Sequence, residues 1–186
     1  MPITSGTPSS RRLLIALSAL VVILMIGGAL SFVRYAERNA PNPRLVAVSP
    51  FDLFVTSPPA ELARWRVELA EALTVALAVP PLETVPQERV RARWKSAPTS
   101  EIAAVELARR TSAATAVYGR IDPVDGGGSD SLIARVIVAD AATSRVLFAV
   151  IQRWPPSDPA GLARVIAERI RAHHPITRSD SARDSL

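Results

Sequence analysis

The stretch Ala134–Phe148, ARVIVADAATSRVLF, holds two apolar runs separated by a short polar segment. Both runs are rich in β-branched residues, which favour strands. The segment between them, Asp140–Ser144, has the composition of a tight turn. We therefore predict an antiparallel hairpin of two strands, Leu132–Ala139 and Arg145–Ile151.

More strands are expected on the amino-terminal side of this hairpin. The run Thr115–Ile121 predicts a third strand, which the Gly-rich loop Asp125–Asp130 joins to the hairpin. Two short apolar runs, Leu45–Val48 and Leu82–Val85, predict buried strands farther upstream. Together these runs predict a sheet of about five strands.

Helical periodicity occupies the intervals between the strands. Apolar residues at steps of three and four follow Pro59 and stop at the pair Pro80-Pro81, which predicts a long helix. Shorter helices are predicted over Gln87–Lys95 and from the N-cap Ser100 through Arg110, and a last one begins at the cap Asp158-Pro159. The side chains that we expect to face inward from the last two helices are Ile102, Val105, Leu162, Val165, Ile166 and Ile170. This pattern predicts an α/β fold, a small mixed-sheet domain over residues 45–175, followed by a disordered tail at 176–186.

Charge and composition exclude several classes of protein and functional site. The chain has 186 residues, a formal net charge of +5 and no cysteine, which excludes disulfides, thiolate metal sites and a cysteine nucleophile. Four of the five surplus charges flank a single segment, and they come from Arg11, Arg12, Arg34, Arg38 and Arg44 against Glu37. The domain itself is nearly neutral, so the composition indicates a membrane protein and no nucleic-acid partner.

The segment between these arginines is Leu13–Val33, LLIALSALVVILMIGGALSFV, with no charge and no proline. As a helix it spans roughly 30 Å, the thickness of a bilayer's hydrocarbon core. A cleaved signal peptide has a shorter apolar region, so we predict a retained transmembrane anchor with the lipid bilayer as its partner. Residues 1–12 are then an amino-terminal tail, residues 34–44 are a linker, and the arginines on the two sides of the span do not decide its orientation.

Three small residues, Gly27, Gly28 and Ser31, lie near one end of the predicted span. Their spacing suits close packing against another membrane helix. An equal alternative is that Gly and Ser are simply common in membrane helices.

Three segments carry a resemblance to a known family. They are RLVAVSPF at Arg44–Phe51, LARRTSAATAVYGRI at Leu107–Ile121 and the hairpin stretch Ala134–Phe148. The chain resembles the TolB amino-terminal-domain-like family, which often follows a single span in bacterial serine/threonine kinases and cyclases. The resemblance implies a non-enzymatic binding module outside the cytoplasm, and hence a single-pass bacterial inner-membrane protein with a cytoplasmic amino terminus and a periplasmic domain. The sequence departs from the family at Ser144, where the last hairpin usually has glycine, and it holds no kinase or cyclase domain.

The sequence presents no constellation that predicts catalysis, and we expect no enzyme activity, metal or cofactor. The only histidines, His173 and His174, are adjacent at the end of the last helix, where a solvated helix end is the favoured interpretation. The loop Gly126–Gly128 lacks the Lys-Ser/Thr pair of a phosphate-binding loop. The acidic residues near it do not have the spacing of an EF-hand.

Two features are candidates for partner contact. The first is the basic run Arg89, Arg91, Arg93, Trp94 and Lys95, for which a solvated basic turn is the competing interpretation. The second is Trp154, for which a core-capping role is equally possible. The third tryptophan, Trp65, is predicted to lie in the core.

These predictions favour an extracytoplasmic scaffold, such as an accessory subunit of a larger inner-membrane complex, respiratory, photosynthetic or secretory. The partners would be subunits of that complex, reached through both the span and the domain. Three alternatives stay open at this point. One is an envelope sensor that works with a separate signalling chain, and another is an enzyme whose site the sequence does not reveal. The third is an inverted topology, with the domain in the cytoplasm.

Overall fold

The computed structural model describes Met25 and residues 40–53, 60–94, 100–124 and 131–174, with only the backbone at positions 60 and 61. The chain divides into two compact units, Met1–Ala40 and Pro41–Leu186. Several predictions fall on residues outside the described ones: the tail 1–12, the contacts of Gly27, Gly28, Ser31 and Lys95, the loop 125–130 and the tail 176–186.

The predicted span Leu13–Val33 also lies outside the described residues, apart from Met25, which is helical and exposed. Within the described part of the chain, no helix has both the length and the apolar character needed to cross a membrane. The anchor therefore stays a prediction.

The second unit contains six strands and four helices among its described residues. In chain order they are β1 (Asn42–Val48), β2 (Asp52–Leu53), α1 (Ala60–Leu77), β3 (Glu83–Thr84), α2 (Gln87–Arg93), α3 (Glu101–Arg110), β4 (Ala113–Pro123), β5 (Leu132–Asp140), β6 (Val146–Trp154) and α4 (Pro159–His173). The two predicted caps are present: the Ser100 side chain accepts a hydrogen bond from Ala103 N, and the Asp158 side chain accepts one from Gly161 N.

The strands form one mixed sheet in the order β3-β1-β4-β5-β6, with β2 beside β4. Strand β1 runs parallel to both β3 and β4, whereas β4, β5 and β6 form an antiparallel meander. The predicted hairpin is the β5–β6 pair, with Val136 opposite Val150. The α/β fold class with a mixed sheet is confirmed.

Helices cover both faces of this sheet. Alternate residues of a strand point to opposite faces, so Val117 joins the core under α1 and α4, and Ala116 joins the core under α2 and α3. The first core includes Trp65, as predicted, with Leu69 and Leu73 of α1 and, from α4, Leu162, Ile166 and Ile170. The second core is smaller and contains many alanines.

Four details differ from the sequence predictions. Strand β1 begins at Asn42, three residues early, because Asn42 N donates to Ser112 O at 2.8 Å beside β4. Strand β2 was not predicted, since two residues carry no periodicity. Ile102 was predicted to face inward but is 81% exposed, because the buried stripe of α3 runs through Ala104, Val105, Leu107 and Ala108. The prediction of a solvated helix end is wrong for His174, which is buried.

Candidate protein-interaction site

The predicted basic cluster lies on α2, and its three described arginines are exposed. Arg91 forms an ion pair with Glu71 of α1 at 3.2 Å, and the Arg93 guanidinium donates to the carbonyl oxygen of Arg110. Part of this basic run therefore holds α2 against its neighbours. Whether Arg89, Arg91 and Arg93 also contact a partner stays a prediction.

The two candidate tryptophans are half-buried. Trp94 packs against the second core, directly after α2 ends. Trp154 packs against the first core, and its indole Nε1 donates to Asp158 O at 2.8 Å, just before α4 begins. Both indoles thus have structural contacts within the domain, and a further contact of either with a partner stays a prediction.

The structure shows a surface that was not predicted from the sequence. It is the free side of β6, the side opposite β5. Strand β6 is the last strand of the sheet, and no described strand pairs with its outer side. Three apolar side chains of this strand are exposed: Val146 by 45%, Leu147 by 38% and Ile151 by 60%. An unpaired edge strand presents a row of backbone N–H and C=O groups that another strand can bind.

A groove runs along this free side. It has a volume of about 210 Å³ and is lined by residues 148–151 of β6 together with Arg169 and His173 of α4. The rings of Phe148 and His173 lie 5.6 Å apart, and His173 Nδ1 lies 2.8 Å from Arg169 O. Because residues of both faces of β6 line the groove, it follows the edge of the strand. We call β6 with this groove the β6 edge.

Positive charge surrounds the β6 edge. Arg153 belongs to the strand, Arg169 lines the groove, and Arg135 lies opposite Ile151 on β5. All three are exposed, and β6 itself contains no acidic residue. The β6 edge therefore combines apolar surface with exposed guanidinium groups, of which Arg135 also pairs with Asp122 of β4 at 3.2 Å.

A signal for this surface is present in the sequence, although the sequence predictions did not use it. In VLFAVIQRW, apolar residues occupy both alternating sets of positions, while the set at Leu147, Ala149 and Ile151 is exposed. Apolar residues on both faces usually indicate a strand that is covered on both sides. The pattern could not show that β6 lies at the edge of the sheet, because strand order is a property of the tertiary structure.

The described residues contain no group of three or more His, Cys, Asp or Glu side chains that would hold a metal ion. His173 and His174 do not converge, since His173 is exposed beside Phe148 and His174 is buried beside Thr115. The described residues of the β6 edge therefore contain no metal-binding arrangement.

No protein-family model matches the chain, and no curated protein matches it either. Its structure is similar to several solved structures. The LpoB C-terminal domain from Salmonella enterica is 14% identical, with a TM-score of 0.45, over 61% of this chain and 83% of that one. Lipoprotein GNA1162 from Neisseria meningitidis is 14% identical, with a TM-score of 0.47, over 69% and 96%. TolB from Acinetobacter baumannii is 12% identical, with a TM-score of 0.40, over 70% of this chain and 28% of TolB. At such low TM-scores and identities, these similarities do not assign the chain to a family or give it a function.

Proposed function

We propose that this chain is a non-enzymatic, single-span envelope protein whose α/β domain binds a partner protein through the β6 edge. The observation that carries the proposal is a nine-residue strand whose outer side pairs with no described strand and which has exposed apolar side chains and neighbouring arginines. Natural proteins commonly protect edge strands with charges, prolines or bulges, because exposed edges pair with other chains. An edge with three exposed large apolar residues is suited to addition of a partner strand.

The charges around the edge define the chemistry of the partner segment. Arg169 lines the groove, Arg153 belongs to β6, and Arg135 lies opposite Ile151 on β5, where it pairs with Asp122. Strand β6 itself has no carboxylate. The segment that fits is extended and has alternating apolar and acidic side chains. Its backbone would pair with β6, its apolar side chains would cover Leu147 and Ile151, and its carboxylates would approach the arginines.

The cellular setting is part of the same proposal. The apolar segment 13–33 and its flanking arginines support an anchor in the bacterial inner membrane, with the amino terminus cytoplasmic and the domain periplasmic. The chain would then act as an accessory subunit of a larger membrane complex, and its span and its domain would both contact other subunits.

The test is recovery of a partner with the full chain from membranes solubilised in mild detergent. Ile151→Glu places a carboxylate in the middle of the β6 edge, where it removes apolar contact and repels the acidic segment that we propose. Val75→Glu is the matched control, because Val75 is an exposed valine of α1 that lies away from β6. We expect a stoichiometric partner with the wild type and with V75E, and its loss with I151E.

Thermal unfolding of the three proteins shows whether each is folded. The proposal is overturned if the wild-type chain migrates alone, or if folded I151E recovers the partner as well as V75E does. It is also overturned if V75E and I151E lose the partner equally, since the binding surface would then not be the β6 edge.

A further inference from the structure

A second and larger cavity lies on the face of the sheet that bears α3, where its lining residues Arg135 and Ile137 on β5 lie opposite Ile151 and Ala149 of β6. Its volume is about 470 Å³, within the range of small-molecule sites. Its lining includes two carboxylates, Asp52 and Glu101, two arginines, Arg120 and Arg135, and the ring of Tyr118. These residues come from four different elements, so no sequence motif predicts the cavity.

Both arginines have a carboxylate partner at one side of this cavity. Arg120 Nε lies 3.1 Å and Arg135 Nε lies 3.2 Å from the same oxygen, Asp122 Oδ2. Asp122 is largely buried, with 17% of its side chain exposed. The guanidinium groups are therefore held together by a shared buried carboxylate, and their charges are partly neutralised.

The carboxylates that line the cavity have no such partner. Among the described residues, neither Asp52 nor Glu101 forms an ion pair. Asp52 Oδ1 accepts a hydrogen bond from the adjacent Leu53 N at 3.0 Å. Glu101 is the first residue of α3. The cavity thus holds two carboxylates that form no ion pair among the described residues, beside two arginines that share Asp122.

Tyr118 provides an independent sign of a missing ligand. The residue is 5% exposed, and its hydroxyl is buried with no hydrogen-bond partner among the described residues. Burial and the charge of Glu101 raise the pKa of Tyr118 to about 12, so the hydroxyl keeps its proton. Buried hydroxyl groups in proteins nearly always have a partner, and Tyr118 lines the cavity together with Glu101.

We propose that this cavity binds an organic cation, an ammonium or guanidinium group carried on an aliphatic stem. Asp52 and Glu101 would neutralise its charge, the Tyr118 hydroxyl oxygen would accept a hydrogen bond from it, and Ile137 would contact the stem. A metal ion fits less well, since the described residues contain no cluster of three ligating side chains. The cation could belong to a lysine or arginine side chain of a protein or to a free amine, and the same chemistry recognises both.

The test is titration of the ¹⁵N-labelled full chain in detergent micelles, followed by NMR. The probes are N-acetyl-arginine methylamide and N-acetyl-lysine methylamide as side-chain mimics, putrescine as a free amine, and N-acetyl-citrulline methylamide as the neutral analogue. We expect saturable shifts at Gly119 and its neighbours with at least one cation and none with citrulline. Tighter binding of a side-chain mimic supports a protein source, and tighter binding of putrescine supports a free amine.

Substitutions of lining residues test whether the cation binds in this cavity. Glu101→Gln and Asp52→Asn should each weaken cation binding by about fivefold, the cost of losing one partly exposed charge contact. Tyr118→Phe keeps the ring in the core and should also weaken binding. Glu106→Gln on the same helix is the matched control, since Glu106 pairs with Arg110 outside the cavity, and it should bind like the wild type.

The proposal is overturned if no cation gives saturable shifts, if citrulline binds as well as arginine, or if E101Q binds like E106Q. The two proposed sites share Arg135, but none of the variants in this titration changes it. The result would not decide the β6 edge, which is probed by a different variant and does not include Glu101 or Tyr118. If the wild-type chain recovers no partner from membranes, the cation titration still tests this cavity.

Discussion

At the scale of single residues, His174 is the largest departure from the sequence prediction. Its backbone N–H donates to Ile170 O at 2.8 Å, which continues the last turn of α4. Its ring lies 2% exposed, with Nε2 3.0 Å from Thr115 Oγ1 on β4. The sequence shows a histidine pair before a proline, which is typical of a fraying helix end. Only the packing of α4 against the sheet shows that the His174 ring is buried and the His173 ring is exposed.

This burial predicts a pH-dependent stability. Desolvation lowers the pKa of His174 below its ordinary 6.5, so the folded domain resists a proton that the unfolded chain accepts. The unfolded chain therefore binds more protons below pH 6.5, and the free energy of unfolding should fall as the pH drops from 6.5 towards the folded pKa. Chemical denaturation of the full chain between pH 7 and pH 5 measures this change.

His174→Gln is the control for the histidine, because glutamine offers a hydrogen-bonding side chain to Thr115 and does not titrate. The variant should show a shallower loss of stability between pH 7 and pH 5 than the wild type. An unchanged slope would mean that another group causes the pH dependence.

At the scale of elements, the β5–β6 hairpin is organised by its turn. Asp140 Oδ1 accepts hydrogen bonds from Thr143 N at 2.7 Å and Thr143 Oγ1 at 2.8 Å, and the backbone bond from Thr143 lowers the pKa of Asp140. Arg109 of α3 donates to Ala141 O at 2.5 Å and to Ser144 Oγ at 3.0 Å. Ser144 itself has a φ of 59°, in the left-handed region. The position that usually holds glycine in the family that the sequence resembles is thus one where serine is strained.

Ser144→Gly should therefore stabilise the protein. Relief of the left-handed conformation is worth roughly 1 kcal/mol or somewhat more, and loss of the exposed contact with Arg109 offsets part of it. Ser144→Ala loses the hydroxyl but keeps the strain, so it should be no more stable than the wild type. Urea denaturation measures the free energy of unfolding of the wild type and the two variants. An alanine variant as stable as the glycine variant would contradict backbone strain at Ser144 as the cause.

At the scale of the whole molecule, one sheet separates two hydrophobic cores that differ in residue composition. The core under α1 and α4 contains leucines, isoleucines and Trp65, whereas the core under α2 and α3 is built mostly from alanine and valine. On the second face, α3 packs mainly on β4 and β1, and the outward residues Leu147, Ala149 and Ile151 of β6 are exposed. This uneven cover leaves outward side chains of β6 exposed, and the proposed partner can reach them only in the compartment that holds the domain.

Placement of the domain outside the cytoplasm is therefore a prediction about the whole chain. External protease added to spheroplasts should digest the domain of the full chain, detected with an antibody against a carboxy-terminal tag. A cytoplasmic marker protein should remain intact in the same sample. A domain that survives until the spheroplasts are lysed would place it in the cytoplasm and reject the proposed topology.

Sequence periodicity alone was sufficient for much of the fold. The hairpin at Ala134–Phe148, the caps Ser100 and Asp158, the core position of Trp65 and the mixed α/β class follow from local propensity and the spacing of apolar residues, which act over a few neighbouring positions. Tertiary structure decided the rest. The pairing of β2 with β4, the burial of His174, the exposure of Ile102 and the edge position of β6 all depend on contacts between residues distant in sequence. Both proposed sites belong to this second group, because a free strand edge and a cavity lined by four elements exist only once the sheet has assembled.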